Sequence, residues 1–417
     1  MHECQPVEHS VMDDNFGQKL RASIERFIGW LNGYGEVSYD FQTFYASPIG
    51  QRAKALYYKH HLLGTVAVAP IILCEAFVPA ARRLFWKPQR FPIADAHFAM
   101  GFATLAQALG DNKYYERAVH FLDVLEETRC AGQMHYAWGY PFDWVGIGGT
   151  IKAETPLITT EPYVYEAYSQ VYEIDKNNRW RQIMQSLARH ASEDYSDVVT
   201  SQRASSASYC PSTRPDPGMV ANASAYRAFL LTKAALDFSE ERYRCQAERN
   251  LYFVLESQNP DGSWFYAMDG KRNFVDHFHT CFVMKALTKI ERLTGNRDCT
   301  AAIERGIMYY VRHLFDEVGL PKPFSKAPRL TVYKRELYDY AECINLATLL
   351  RGRFPELDNR LMTVIEDILG RWQRRDGSFR SRQLRLGWDD VPMHRWAQAQ
   401  LFRSLSLLLA SNGQGLH

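Results

Sequence analysis

Apolar helical stretches recur along the chain, each preceded by a short polar or aromatic segment. These segments lie near His97, Thr160, Asn222, His279, Tyr340 and His394. The intervals between them are 63, 62, 57, 61 and 54 residues. Such an interval accommodates two helices and two loops, and repetition at a nearly constant spacing is typical of stacked supersecondary units. Six units of this kind predict a closed ring.

Each unit contains one helix that is apolar on nearly all sides and one that is amphipathic. In the first unit, Phe98–Leu109 is small and apolar, whereas Tyr114–Glu127 carries its charges on one side. A helix that is apolar all round is buried, and a charged face lies in water. The sequence therefore predicts an all-α fold, an (α/α)6 toroid of alternating inner and outer helices without a substantial sheet.

The last inner stretch has no outer partner after it, so the partner must come from the amino-terminal end. Asn15–Leu31 and the Arg52–Phe77 region both qualify, and we expect residues 1–90 to close the ring. No Ser- or Gly-rich linker divides the chain, which predicts a single toroid domain over residues 1–417. Residues 196–220 form a long loop, either a lid or binding element or a mobile insertion.

The segment Leu62–Ala81 is mostly apolar and is followed by basic and aromatic residues. Glu75 and two prolines interrupt it, so we reject a membrane span, which needs about 20 apolar residues. We expect a buried helix of the toroid, with an interfacial membrane patch as the alternative.

Composition and charge limit the classes of function. The chain has 49 basic and 47 acidic residues and a formal net charge of +2, so nothing indicates a nucleic-acid partner. The eight cysteines form no Cys-x-x-Cys pair and no Cys/His cluster, so we expect neither a metal nor a cofactor. Residues 1–14 lack the pattern of a signal peptide. We expect a cytoplasmic protein, with peripheral contact to a membrane as the alternative.

The aromatic content is high, with 24 Tyr, 23 Phe and 9 Trp, and many of these residues fall in the turns. An apolar sugar face stacks on an aromatic ring while its hydroxyls form hydrogen bonds. The composition therefore favours a glycan ligand, although large helices also use rings for packing.

Side chains at the amino-terminal ends of inner helices share one funnel in a toroid. Asp143 lies beside Trp144, and Glu161 precedes Tyr163 at a predicted helix start. Desolvation between rings can raise the pKa of a carboxyl group, so Asp143 and Glu161 are candidates for an acid/base pair. In the alternative interpretation, Asp143 caps a turn and Glu161 is an ordinary helix start.

Two histidines mark a second candidate segment. His277 and His279 follow Asp276 directly before an inner helix, where a histidine can act as acid or base. We predict that these histidines line one cavity with Asp143 and Trp144. Further candidates in the loops before inner helices are Asn222, Tyr338, Tyr340, Trp388, Asp389, His394 and Arg395. Of these, Tyr338 and Asp389 are candidate catalytic groups. The others are candidate substrate-binding groups, as are Trp144 and Tyr163.

Ala247–Trp264, with Gln258, Gly262 and Trp264, resembles the Gln-Trp repeat of the squalene cyclase and prenyltransferase-like α/α toroids. This resemblance implies the architecture rather than an activity. The chain lacks both the Asp-x-Asp-Asp acid of the cyclases and the Asp/Cys/His zinc set of the prenyltransferases.

The runs Trp138–Trp144, Thr155–Thr160, Pro162–Ala167 and His279–Val283 resemble a family encoded in bacterial exopolysaccharide, capsule and O-antigen clusters. The resemblance implies a role in assembling or modifying surface glycans, and it supplies no catalytic residues.

These observations favour a carbohydrate-active enzyme of surface polysaccharide biosynthesis that acts on a glycan or lipid-linked oligosaccharide. Hydrolysis or transfer would use two carboxylates, from Asp143 with Glu161 or Asp389. Lyase or epimerase chemistry on a uronic acid would use Asn222 and His279, with Tyr338 or Tyr340 as base and acid. The alternatives are a non-catalytic glycan-binding or scaffold protein and a terpenoid cyclase-like enzyme.

Overall fold

The computed structural model describes residues 14–211 and 219–413. The helices are α1 (Asp14–Tyr34), α2 (Thr43–Ala46), α3 (Pro48–Lys59), α4 (His61–Phe77), α5 (Arg82–Phe85), α6 (Pro92–Leu109), α7 (Asn112–Glu127), α8 (Glu161–Asp175), α9 (Asn178–Glu193), α10 (Ala221–Phe238), α11 (Glu241–Glu256), α12 (His277–Thr294), α13 (Arg297–His313), α14 (Leu337–Leu349), α15 (Pro355–Asp367) and α16 (Ala399–Gly413). Short π-helical turns at Ile368–Trp372 and His394–Gln398 follow α15 and precede α16. The predicted all-α toroid is confirmed.

Helices α6, α8, α10, α12, α14 and α16 form the inner ring, and α1, α7, α9, α11, α13 and α15 form the outer ring. The inner helix α6 is buried along most of its length because it has almost no charged side chains after its first turn. Its outer neighbour α7 buries one face, including Phe121 and Leu125, and exposes its charges. The two patterns place apolar area in the wall between the rings, which is the main stabilising contribution.

Tight links reverse the chain between inner and outer helices. The residue directly after each of four inner helices has a left-handed conformation, at Gly110, Lys176, Ser239 and Gly295. In three of these links the next residue caps the outer helix by accepting a hydrogen bond from its first turn, at Asp111, Asn177 and Asn296. This pairing of a left-handed stop with a polar cap gives the repeat its regular spacing.

A glutamine turn at residues 258–264 fastens α11 to the next outer helix. The Gln258 amide donates to the carbonyl oxygens of Gly262 and Ala302 at 3.0 and 2.9 Å. The buried Trp264 indole donates to the Val254 carbonyl at 2.9 Å. The segment that resembles the Gln-Trp repeat therefore packs one outer helix against the next.

A second glutamine turn at residues 373–379 shows how the ring closes. The Gln373 amide donates to the Gly377 carbonyl at 3.2 Å and to the Ser23 carbonyl, on α1, at 2.9 Å. Helix α1 thus occupies the outer position after α15, and it also packs against α16. Of the two predicted partners, Asn15–Leu31 closes the ring and the Arg52–Phe77 region does not.

Helices α2 to α5 form an insertion beside the ring, with a small core of their own around Phe44, Val68 and Ile71. The prediction that Leu62–Ala81 is a buried toroid helix is wrong, because α4 buries one face and leaves the other exposed. Among the described residues no single helix is long and apolar enough to cross a membrane. Helix α4 and Pro79–Phe85 meet that criterion only as a pair bent by 118°.

Short strands occur in the loops that precede inner helices. They are β1 (Trp144–Gly146), β2 (Gly149–Ile151), β3 (Asp197–Val199), β4 (Ser205–Ala207), β5 (Val275–Asp276), β6 (Phe324–Lys326), β7 (Tyr333–Glu336), β8 (Arg382–Leu384) and β9 (Trp388–Asp389). They pair antiparallel as β1-β2, β3-β4, β5-β6 and β7-β8-β9. The long loop predicted at 196–220 contains the β3-β4 hairpin, and its residues 212–218 lie outside the described residues, as do residues 1–13.

Candidate functional site

The first turns of α10 and α12 and the loop before α12 enclose a small cleft, the mouth cleft. Asn222, Asp276 and His279 supply its polar groups, and Tyr266 and Phe274 supply stacked rings with centroids 4.8 Å apart. The Asp276 carboxylate caps α12 by accepting from the His279 backbone N–H at 3.0 Å. The fold thus uses a helix cap to place this carboxylate against the histidine.

The other carboxylate oxygen of Asp276 lies 2.6 Å from Nδ1 of the His279 ring. This contact orients the ring and holds a proton on Nδ1, so that Nε2 is the acceptor. The His279 side chain remains 21% exposed, whereas Asp276 is buried. A carboxylate-oriented histidine with one accessible nitrogen is suited to general base catalysis.

Asn222 is buried, and among the described residues its Oδ1 has no hydrogen-bond partner. Buried polar atoms are nearly always paired, and leaving one unpaired costs about 1–3 kcal/mol. Since Asn222 lines the mouth cleft with His279, the unpaired oxygen is available to accept from a ligand hydroxyl. The structure therefore brings together two of the predicted site residues.

A second, small cavity lies on the ring axis between α8, α10 and α12, the axial cavity. Tyr163 and Tyr226 line it, with their hydroxyl oxygens 2.7 Å apart. Phe282 separates it from the mouth cleft, since its ring lies 5.4 Å from Tyr226 and 5.5 Å from His279. Tyr163, a candidate substrate-binding residue, thus lies on the ring axis.

Charged side chains project into the axis from four inner helices. Glu166 binds Lys289 at 2.5 Å and Arg403 at 3.4 Å, and Lys285 pairs with Glu342. Three cations thus face two carboxylates. Burial lowers the pKa of Lys289 to about 8, against the opposing effect of Glu166. The excess positive charge favours an anionic group in the axial cavity.

Aromatic rings surround the entrance. The Trp396 and Tyr338 rings stack with centroids 4.1 Å apart, and the Arg395 guanidinium lies 4.6 Å from the centre of the Tyr140 ring. On another side the Trp144 ring lies 5.6 Å from Tyr209. Burial raises the pKa of Tyr338 well above its usual range, and the nearby Glu342 adds to the shift, so Tyr338 keeps its proton.

The predicted pair of carboxyl groups is not assembled. Asp143 accepts from Lys152 at 2.7 Å and from the Ala153 N–H at 2.9 Å, on the β1-β2 hairpin. Partial burial opposes these contacts, but the Lys152 hydrogen bond holds the pKa of Asp143 below its usual value. The expected increase in this pKa is therefore wrong, because a lysine faces the carboxylate. Asp143 caps the turn, as in the alternative interpretation.

Glu161 lies behind the wall rather than in the funnel. It is fully buried, accepts from the Trp138 N–H at 2.9 Å, and lies 3.8 Å from the His190 ring. Burial raises the pKa of Glu161 well above its usual range. The group is neutral and faces α9, so it does not pair with Asp143 for catalysis.

His277 and Tyr340 are packing residues, which corrects their predicted roles. The His277 Nε2 lies 2.6 Å from the Tyr310 hydroxyl, and its Nδ1 faces the Leu314 carbonyl at 3.1 Å. Burial lowers the pKa of His277 to about 3, so the ring is neutral. The Tyr340 hydroxyl donates to Asp367 at 2.8 Å, away from the axis. The prediction that His277 shares a cavity with His279 is therefore wrong.

The last candidate loop binds the insertion. Asp389 is buried and accepts from Arg82 at 2.5 Å. Arg395 forms a two-pronged contact with Asp40 at 2.9 and 2.6 Å. The neutral His394 ring donates from Nε2 to the Gly35 carbonyl oxygen at 2.9 Å. Asp389 and Arg395 thus fix the insertion and the segment before it to the ring, whereas His394 holds the end of α1. Arg395 alone also borders the entrance.

Trp388 lies on the outer side of the same loop. Its ring is 5.1 Å from Trp372 and is covered by Arg380 at 4.8 Å. Neither contact reaches the mouth cleft or the axial cavity, so the predicted binding role of Trp388 has no support in the geometry.

Four charged residues of the axis were not predicted from the sequence, namely Glu166, Lys285, Lys289 and Arg403. One signal was present: Lys285 and Lys289 interrupt an otherwise apolar inner stretch at a spacing of four residues. A charged pair on one face of a buried helix is seldom tolerated without partners. Among the described residues, no group of three or more His, Cys, Asp or Glu side chains has a metal-binding arrangement.

The fold and cleft define a class, the (α/α)6 toroids. No family model matches the chain, and no curated protein matches it. Several solved structures do match the chain. Cellobiose 2-epimerase from Bacillus thermoamylovorans is similar with a TM-score of 0.59 and 9% identity, over 76% of this chain and 88% of that chain.

Two further structures have the same architecture. Cellobiose 2-epimerase from Spirochaeta thermophila gives a TM-score of 0.59 at 13% identity, over 78% of this chain and 86% of that chain. An inactive α-1,6-mannanase from Salegentibacter sp., in complex with α-1,6-mannotriose, gives a TM-score of 0.55 at 12% identity. The match covers 78% of this chain and 90% of that chain. At these identities the likeness establishes the toroid fold alone.

Proposed function

We propose that this protein is a carbohydrate-active enzyme of bacterial surface polysaccharide biosynthesis that acts on a glycan or lipid-linked oligosaccharide at the mouth cleft. One observation carries the proposal: Asp276 orients His279 beside the unpaired Asn222 amide in a cleft lined by stacked rings. The glycan ligands of toroid enzymes such as the mannanase support a sugar as the substrate class.

The chemistry that best fits the cleft is proton transfer at a sugar carbon, of the lyase or epimerase type. The accessible His279 Nε2 takes a proton from a carbon next to a carbonyl or carboxylate group, while Asp276 stabilises the resulting imidazolium. Asn222 holds a neighbouring sugar oxygen. Tyr338, which keeps its proton, packs against Phe282 as His279 does, and the Tyr338 and Phe282 ring centroids are 5.9 Å apart. It is the candidate acid.

Hydrolysis by the predicted carboxylate pair has less support. Glycoside hydrolysis needs two carboxyl groups that flank one bond, about 5–10 Å apart. Asp143 is bound to Lys152 on a hairpin, and Glu161 is sealed behind Trp138. Neither group is free to act on a sugar in the funnel.

Solvent exchange tests the proposal. Oligosaccharides that end in a hexose or a hexuronate are incubated with the protein in D2O, and NMR locates deuterium on carbon. We expect deuterium at one carbon from an epimerase, or a new carbon–carbon double bond in the product from a lyase. Either signal should be lost in His279→Gln and retained in His313→Gln, a control at an exposed histidine.

Two results would contradict the proton-transfer chemistry. New reducing ends with neither exchange nor a new carbon–carbon double bond in the product would indicate a hydrolase. Sugar binding without either reaction would favour the glycan-binding scaffold, which the rings around the entrance also fit.

A further inference from the structure

Helix α4 and the segment after it carry a row of exposed apolar side chains, the apolar ridge. Its members, with their exposed fractions, are Leu62 83%, Leu63 64%, Val66 73%, Leu73 57%, Phe77 62% and Leu84 88%. Single exposed apolar residues are common, but a contiguous patch marks a surface that another body covers.

The ridge follows one side of the helix. At 100° per residue, Leu62, Val66, Leu73 and Phe77 fall within about 60° of one another and extend over about 22 Å. The buried positions Gly64, Val68 and Ile71 lie on the opposite side. The only acidic residue of the helix, Glu75, also turns inward, where Arg382 binds it at 2.6 Å. Helix α4 is therefore apolar on both sides, with one side packed in the small core and the other exposed.

Positive charge surrounds the ridge. Residues 51–90 contain seven Lys or Arg and a single acidic residue, a net charge of +6, so the rest of the chain carries −4. The exposed cations of this region are Arg52, Lys59, Arg83 and Lys87. None of the four forms an ion pair with a described residue. Lys59 precedes the ridge, and Arg83 and Lys87 flank Leu84 at its other end.

We propose that the apolar ridge docks this protein on the surface of a membrane that contains anionic lipid. Apolar side chains enter the boundary between headgroups and acyl chains, while the basic residues at both ends bind lipid phosphates. A second copy of the chain is a poorer occupant. A two-fold contact between two ridges brings the basic ends of both copies together, and like charges repel.

Docking by the ridge brings one side of the toroid entrance towards the lipid. Arg82 binds Asp389 at 2.5 Å, and Arg382 binds Glu75, so two ion pairs hold the insertion to the loop before α16. Helix α3 also packs against β1 at the entrance. A substrate carried on a lipid would thus be presented beside the funnel. The docking proposal holds whether or not the mouth cleft is catalytic.

Vesicle flotation tests the proposal with the full-length protein. The probes are vesicles of phosphatidylcholine alone and vesicles with about one third phosphatidylglycerol. We expect binding to the anionic vesicles, and at least ~10-fold weaker binding for Leu73→Glu and for Arg83→Glu/Lys87→Glu. The matched control is Met308→Glu, a residue of α13 that is 62% exposed, which should bind as the wild type does.

Thermal melts and circular dichroism first establish that each variant is folded, and Val66→Ser replaces Leu73→Glu if the latter is not. Equal loss in Met308→Glu, or no binding to anionic vesicles, would overturn the proposal. Binding that is unchanged in Leu73→Glu would do the same. A concentration-dependent dimer in sedimentation, abolished by Leu73→Glu, would replace the membrane by a second copy.

Discussion

The glutamine turns of the outer wall and the mouth cleft use the same kinds of side chain in opposite ways. In the turns, Gln258 and Gln373 bind the next outer helix through the same carbonyl contacts, so their polar atoms serve the fold. In the cleft, Asn222 Oδ1 has no partner among the described residues, and His279 is bonded on one nitrogen. Polar groups that the fold does not satisfy mark the place where a ligand binds.

The largest expected effect separates activity from stability. His279→Ala should lower the turnover by at least ~100-fold, because general base catalysis typically contributes about 10²–10⁴-fold. The melting temperature should stay near that of the wild type, since Asp276 still caps α12 through the backbone. Turnover and thermal melts are measured together. Early melting of His279→Ala would show that this histidine belongs to the fold.

In the glutamine turns of the outer wall we expect substitutions to lower stability rather than turnover. Trp264→Ala and Phe379→Ala should each lower the free energy of unfolding by about 3–5 kcal/mol, as truncated buried aromatics do. Both rings are buried in equivalent glutamine turns. Chemical denaturation measures the loss. If Phe379→Ala lost turnover at normal stability, the separation between wall and cleft would be contradicted.

Glycine substitutions sharpen the role of the turns. Gly262 and Gly377 have φ of 91° and 95°, and a Cβ there would lie 2.3 Å from the carbonyl oxygens of Arg305 and Arg26. Gly352, with φ of 76° and open space around it, is the matched control. Gly352→Ala should cost about 1–2 kcal/mol. Gly262→Ala and Gly377→Ala should cost about 1–3 kcal/mol more.

Equal losses for the three variants in denaturation would show that the close approach of the turns to the outer helices adds nothing.

Two buried asparagines compare the regions directly. Asn250 donates to the Ser205 carbonyl at 2.8 Å and to Asp197 at 3.0 Å, whereas Asn222 Oδ1 is unpaired. Asn250→Ala should therefore lower stability by about 1–3 kcal/mol. Asn222→Ala should leave stability nearly unchanged and raise KM. A larger stability loss in Asn222→Ala than in Asn250→Ala would contradict the comparison.

The smallest effect concerns pH. Because burial raises the pKa of Glu161, the folded protein keeps a proton that the unfolded chain releases. Stability then falls as the pH rises above the usual pKa of a glutamate. Glu161→Gln removes this dependence, so its melting temperature should exceed that of the wild type at pH 8, with a smaller difference at pH 5. A constant difference would mean that Glu161 is ionised in the fold.

The sequence predicted the fold because period and pattern are local properties. The stops and caps, such as Gly110 with Asp111, recur in three of the links and specify two helices per repeat. The pattern did not identify α4 as an insertion, since an apolar helix reads the same whether its outer face is covered or exposed. That difference is set by tertiary packing.

The candidate site was only partly predictable for the same reason. His277 and His279 both precede the core of α12, but a difference of two residues turns one towards Tyr310 and the other towards the cleft. Asp389 looked like a free carboxylate until Arg82, 307 residues away, supplied its partner. Partners so distant in sequence leave no local signal.

The most direct test of the account is a crystal structure of the protein soaked with an oligosaccharide on which it acts. The account predicts a sugar ring in the mouth cleft, with one hydroxyl within hydrogen-bonding distance of Asn222 Oδ1 and the reacting carbon beside His279 Nε2. Sugar bound only on the outer wall, or in the entrance with Asn222 and His279 untouched, would contradict it.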